Sequence, residues 1–74
     1  MKPGDFVVGA QTVNMYVGQF NEKDPRSALC GTFYRGTLAL VIASGGHEGE
    51  EIMVLTEDGR LGWTWEWYVQ EVLP

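Results

Sequence analysis

The sequence contains a single cysteine, Cys30, so the chain cannot form an internal disulfide bond. A small domain without disulfides is typical of a reducing compartment, and we therefore expect a cytoplasmic protein. A nucleophilic cysteine needs a base beside it, and nothing in the sequence places the only histidine, His47, near Cys30. No Ser-His-Asp set and no phosphate-binding glycine loop is evident either, so we expect neither an enzyme nor a bound cofactor.

Basic residues are also few: the chain has 5 Lys and Arg but 10 Asp and Glu, so its formal net charge is −5. The five basic residues are scattered and form no basic stripe. Because an acidic surface repels phosphate groups, the composition predicts that the chain does not bind nucleic acid. The same acidity permits a different hypothesis, in which the chain is an acidic decoy that blocks a nucleic-acid-binding protein.

Long hydrophobic runs are absent. The longest apolar run, Leu38–Ala43, is much shorter than the roughly 20 residues that a membrane-spanning helix needs. The opening residues Met1–Asp5 are not followed by the apolar region of a signal peptide. We therefore expect a single domain over residues 1–74 that is a complete small gene product with no membrane partner.

The sequence does contain short β-branched and aromatic runs that are separated by glycine-rich turns, which predicts an all-β fold. Asp58-Gly59 predicts a tight type I′ hairpin turn. The segment Gln11–Gly36 is the least regular, and we interpret it as a long first loop with short strand pieces. A small, five-stranded, partly open barrel fits this pattern. The predicted strands are Phe6–Val8, Leu38–Ala43, Ile52–Thr56, Gly62–Trp65 and Val69–Leu73, with the loop pieces at Val13–Val17 and Thr32–Tyr34.

Both ends of the chain resemble a known fold family. The opening Pro3–Val7, Pro-Gly-Asp-Phe-Val, resembles the Gly-Asp-x-Val start of many small SH3-like barrels. The segment Asp58–Val69 is similar to the SH3 ending, with a distal hairpin, a Gly-aromatic pair, a short 3₁₀ turn and Tyr-Val before the last strand. Stand-alone proteins of this shape are common among phage and prophage gene products. The resemblance implies a five-stranded, partly open SH3-like barrel.

The resemblance also implies where a ligand would bind. In SH3 domains that bind proline-rich peptides, the positions of Trp63, Trp65 and Tyr68 contribute to the ligand groove. The first-strand Ala-Leu-Tyr-Asp-Tyr motif is absent, and Phe6–Gly9 stands near its place. The Trp that usually begins the third strand is missing as well, with Ile52-Met53 in that region. Half of the residues of a peptide groove are therefore absent.

The candidate binding residues form an aromatic cluster, Trp63, Trp65, Trp67 and Tyr68. Four large rings within six residues cannot all enter the interior of so small a barrel. The cluster is therefore either core and rim packing or a binding surface. We expect Trp63 to be mainly structural and Trp65 or Trp67 to be the exposed ring.

Two further features bear on partners. Strand Leu38–Ala43 is apolar on both faces, and Met53 and Leu55 point away from Ile52 and Val54. Because a barrel has only one interior, either the long loop or a second chain must cover the apolar side chains that point outward. The segment His47–Glu51 combines an imidazole with three carboxylates but matches no metal-binding spacing that we know. We expect a solvated hairpin tip there and no metal.

These observations favour a non-catalytic protein-interaction module, acting through its aromatic end or its apolar outer strand face. Its partner would be another protein or a second copy of the chain. The alternative is the acidic decoy described above.

Overall fold

Over the residues that the structure describes, the chain forms seven short strands, so the expected count of five is wrong. A computed structural model describes residues 1–18, 29–45 and 50–72. A 3₁₀ turn, Glu66–Tyr68, separates the last two strands. The strands are β1 (Phe6–Gly9), β2 (Val13–Tyr16), β3 (Leu29–Phe33), β4 (Leu38–Gly45), β5 (Glu51–Thr56), β6 (Leu61–Trp65) and β7 (Val69–Glu71).

All seven strands belong to one sheet with the order β3-β2-β6-β5-β4-β1-β7. Every pairing between them is antiparallel, and β3 and β7 form the two edges. The sheet curls into an open half-barrel. The all-β prediction is therefore confirmed, and no part of the described chain forms a helix that is long and apolar enough to cross a membrane.

The strand pieces expected within the long loop Gln11–Gly36 are confirmed as β2 and, in part, as β3, and both belong to the sheet. They pair from Val13 opposite Phe33 to Tyr16 opposite Leu29, with an irregularity after Met15. β2 also pairs with β6, where Tyr16 lies opposite Trp63. Pairing with β6 is a contact between distant parts of the sequence, so the local pattern of β2 and β3 did not predict it. Residues 19–28 of the expected loop lie outside the described residues.

The hairpin after β5 contains three loop residues and is not the predicted two-residue type I′ turn. The backbone N–H of Gly59 donates to the Thr56 carbonyl at 2.9 Å, and the N–H of Thr56 donates to the Arg60 carbonyl at 2.8 Å. Gly59 has φ = +88° and ends the loop, as in hairpins where a turn is followed by a left-handed glycine. The predicted positive φ of Gly59 is thus confirmed, although the turn type is wrong.

The core lies on the concave face of the sheet and consists of medium-sized apolar side chains. Phe33 reaches into it from the edge strand β3 and is fully buried. Gly9 allows this approach, because a Cβ at Gly9 would lie 2.6 Å from Phe33 Cε1 and 2.6 Å from the Tyr34 carbonyl oxygen. The buried cluster contains Val7, Met15, Phe33, Ala39, Val41, Ile52, Val54 and Val69.

Arg60, the residue before β6, connects the edge strand β3 to the rest of the sheet. Its guanidinium donates to the Thr32 carbonyl oxygen of β3 and lies 5.5 Å from the centre of the Tyr34 ring. The same group forms an ion pair with Asp58 at 2.9 Å. Because β2 lies between β6 and β3 in the sheet, Arg60 spans one strand and stabilises the curled position of the β2–β3 pair.

Candidate functional site

The structure separates Trp63 from the other rings of the predicted aromatic cluster. Trp63 lies within β6, opposite Met53 of β5 and Tyr16 of β2, and is only 8% exposed. A Trp buried between two neighbouring strands contributes mainly to packing, as expected from the sequence.

Trp65 and Trp67 form a stacked pair at the end of β6. Trp65 is the last residue of the strand, and Trp67 lies in the 3₁₀ turn that follows. The turn interrupts the strand alternation and brings the two ring centres to 4.8 Å, with 14° between the ring planes. Trp67 is 53% exposed, whereas Trp65 is half-buried, so the pair presents one open aromatic face.

Tyr68 extends the stacked pair and connects it to β2. Its ring lies 6.2 Å from that of Trp67 at an angle of 67°, which is an edge-to-face contact. Trp65 and Tyr68, together with β2, border a groove of about 290 Å³. We call this the aromatic groove, and it is lined by Val13, Asn14, Tyr16, Trp65 and Tyr68.

Sequence analysis identified Trp65 and Tyr68 but missed Val13, Asn14 and Tyr16 as residues of the aromatic groove. The missed residues come from β2, which reaches the groove because it pairs with β6. Nothing local in the sequence indicates that pairing.

The backbone of the 3₁₀ turn is held in place from two directions. The Glu66 N–H donates to the Glu50 carbonyl at 2.8 Å, which ties the turn to the residue before β5. The Glu66 carboxylate lies 3.6 Å from the amino group of Met1. On the other side of the turn, the Ala10 N–H donates to the Tyr68 carbonyl at 2.9 Å. These bonds fix the orientation of the turn that carries Trp67.

The aromatic groove is uncharged, although carboxylates lie near it. All five lining residues are neutral. Glu51 pairs with Trp65 in the ladder between β5 and β6 and is itself only 5% exposed. A surface of aromatic rings with one amide, from Asn14, is suited to apolar contact and a small number of hydrogen bonds.

Other candidate chemistry remains at the level of prediction. Within residues 1–18, 29–45 and 50–72, no group of three or more His, Cys, Asp or Glu side chains is arranged to hold a metal ion. His47 and Glu48, which belong to the segment His47–Glu51 considered above, lie outside the described residues. Cys30 belongs to β3. The expectations that the chain has no catalytic site, no metal and no cofactor therefore stay predictions.

Comparison with known protein families, curated proteins and solved structures finds no match. The likeness to SH3-like barrels thus stays a resemblance.

Proposed function

We propose that the chain is a non-catalytic protein-interaction module on an SH3-like barrel, and that it binds a partner polypeptide through the aromatic groove. The fold part of the proposal is supported by a curled antiparallel sheet in which a 3₁₀ turn precedes the last strand. It is also supported by the Gly-aromatic pair Gly62-Trp63 within β6.

The exposed Trp67, stacked on Trp65 beside the groove, is the observation on which the binding proposal rests. Large rings are costly to leave in water, and each can bury roughly 150–250 Å² on association. Folding removes only about half of the Trp67 surface from water, since 53% of the residue remains exposed. Exposed aromatics on a fixed backbone are typical of interface residues that dominate binding energy.

The groove, at about 290 Å³, lies at the lower end of the roughly 300–1,000 Å³ that is usual for ligand pockets. That volume accommodates a few side chains of a partner. The rings can pack against apolar side chains, while Asn14 can exchange hydrogen bonds with a backbone.

Selection of random peptides against the chain, followed by calorimetric titration of the enriched peptides, tests the proposal. We expect Trp67→Ala to weaken binding by about 30-fold, which corresponds to a hot spot of about 2 kcal/mol. The melting temperature should fall only modestly, because Trp67 is 53% exposed and its main contacts are the rings of Trp65 and Tyr68. Trp67→Phe should recover part of the affinity, since a smaller ring can still stack on Trp65.

Ile42→Ala is the matched control. Ile42 is an exposed apolar residue (40%) on β4, which β5 separates from β6. We expect its removal to leave peptide affinity unchanged. If the enriched peptides depend on Trp67 no more than on Ile42, the proposal that the Trp65–Trp67 stack beside the groove contributes to binding is wrong. Binding that weakens steeply with added salt and ignores Trp67 would favour the acidic decoy instead, because screening acts on exposed charges and not on apolar contact.

A further inference from the structure

The aromatic groove concentrates ring surface that folding does not cover completely. Three of its five lining residues are aromatic, Tyr16, Trp65 and Tyr68, and Trp67 stacks on Trp65 beside it. Tyr16 is 37% exposed and Trp67 is 53% exposed. The face of an aromatic ring carries negative electrostatic potential, and Trp attracts a cation more strongly than Tyr or Phe does. The groove is therefore suited to a cation as well as to apolar side chains.

Three acidic residues lie next to the stacked rings in the sheet or along the chain. Glu51 lies opposite Trp65 in the ladder between β5 and β6, so the two side chains share one face of the sheet. The backbone carbonyl of Glu50 accepts the N–H of Glu66 at 2.8 Å, and Glu66 stands between Trp65 and Trp67 in the chain. The end of the β5–β6 pair that carries the rings therefore also carries three carboxylates.

The charge of the chain favours a cationic partner at this end of the sheet. The Met1 amino group lies 3.6 Å from a Glu66 carboxylate oxygen and balances one of the three negative charges. No basic residue is among the five that line the groove. The whole chain has a formal net charge of −5. A positively charged segment is therefore attracted toward the groove, whereas an acidic segment is repelled.

The chain holds one of its own cations with a ring and a carboxylate. The Arg60 guanidinium lies 5.5 Å from the centre of the Tyr34 ring and pairs with the Asp58 carboxylate at 2.9 Å. The aromatic groove offers the same two kinds of group, because its three rings lie beside the acidic residues of β5 and of the 3₁₀ turn. A cation supplied by a partner would therefore find a combination of groups that already binds a guanidinium elsewhere in the molecule.

We propose that the aromatic groove receives a lysine or arginine side chain of the partner, whose cationic group contacts the rings near the Glu51 and Glu66 carboxylates. This inference rests on the proposed function, because it specifies what the partner polypeptide presents to the same groove. The stem of a lysine or arginine is apolar and packs against rings, while its charged end interacts with ring faces and carboxylates. A proline or an aliphatic side chain would gain the apolar contact alone.

Titration with two amino-acid derivatives, followed by nuclear magnetic resonance, tests the preference for a cation. N-acetyl-lysine methylamide and N-acetyl-norleucine methylamide share an aliphatic stem, but only the lysine derivative carries an ammonium group. We expect the lysine derivative to shift the indole N–H signals of Trp65 and Trp67 with a dissociation constant on the order of 10 mM, about 5-fold tighter than the norleucine derivative. Equal affinities, or no shift of these two signals, would overturn the inference.

Substitutions separate the contribution of the rings from that of the carboxylates. Tyr16→Leu removes one ring of the groove but keeps an apolar side chain, so it should weaken binding of the lysine derivative about 3-fold and change binding of the norleucine derivative little. Glu51→Gln and Glu66→Gln should each reduce the preference for the lysine derivative about 2-fold. Thermal melting shows whether each variant is folded, and Glu66→Gln decides the question if the buried Glu51 does not tolerate the change.

Glu57→Gln is the matched control for the two carboxylate variants. Glu57 is exposed, lies in the hairpin at the opposite end of β6, and loses the same charge on substitution. It should retain the full preference for the lysine derivative. An equal loss of preference in Glu57→Gln and Glu66→Gln would show that only the net charge of the chain matters, and would overturn the assignment to the groove.

The peptides selected against the chain distinguish this inference from the proposed function. Replacing a lysine by norleucine, or an arginine by citrulline, should weaken a peptide that depends on Trp67 about 10-fold. Peptides that depend on Trp67 but contain no cation, or tolerate its replacement, would overturn the inference and leave the proposed function intact. Peptides that ignore Trp67 would overturn the proposed function, whereas a preference for the lysine derivative at the Trp65 and Trp67 signals would still support a cation site.

Discussion

Two buried threonines should respond in opposite directions to the same substitution by valine. Thr64 lies in β6, is 4% exposed, and its hydroxyl has no hydrogen-bond partner among the described residues. Thr56, at the end of β5, is 3% exposed. Its hydroxyl donates to the Asp58 carboxylate and accepts the Arg60 N–H at 2.9 Å.

The magnitudes follow from what each hydroxyl contributes. A buried polar group without a partner costs about 1–3 kcal/mol, so Thr64→Val should stabilise the fold by about 1 kcal/mol. Thr56→Val leaves the Arg60 N–H without its acceptor and should destabilise the fold by about 1–2 kcal/mol. For a domain of this size, 1 kcal/mol corresponds to a shift of roughly 4–8 °C in melting temperature.

Differential scanning calorimetry of the two variants measures the effect directly, and urea titration gives the free energy of unfolding independently. Valine and threonine have nearly the same shape, so packing changes are small in both cases. A lower melting temperature for Thr64→Val would show that its hydroxyl is bonded in the native state. The argument from buried polar groups would then be wrong at that position.

Two further substitutions test the packing of Phe33 into the core and the β5–β6 hairpin. Gly9→Ala places a methyl group 2.6 Å from both the Phe33 ring and the Tyr34 carbonyl oxygen, so it should cost about 1–3 kcal/mol in urea unfolding; an unchanged midpoint would show that β3 can shift away. The hydrogen bond from Thr56 is the main cause that lowers the pKa of Asp58 below 3.8. The stabilisation from that carboxylate is therefore complete above pH 3.8 and is lost as pH falls through its lower folded pKa. The melting temperature should fall over that acidic range, and Asp58→Asn should make the fall smaller. Identical pH profiles for the two chains would contradict the assignment.

Local sequence patterns were sufficient for the strands whose neighbours are close along the chain. β4, β5 and β6 follow one another in hairpins, and their apolar runs predicted them to within one or two residues. The positive φ of Gly59 followed from its position after Asp58, since glycine is favoured wherever a left-handed conformation is needed. Counting the rings near the C-terminus also indicated that one Trp must lie outside the core, and Trp67 is that residue.

Other features depend on contacts between distant parts of the sequence, and only the tertiary structure decided them. β2 becomes a strand of the sheet because it pairs with β6, and this pairing places Tyr16 beside the aromatic groove. Trp67 lies in the 3₁₀ turn and stacks on Trp65, and the geometry of that stack depends on how the turn is hydrogen-bonded to Glu50 and Ala10. The position of Glu51 beside Trp65 likewise depends on the ladder register between β5 and β6, which aligns side chains from separate strands. A sequence pattern specifies which face of a strand is apolar, but the partners of that face depend on how the whole sheet assembles.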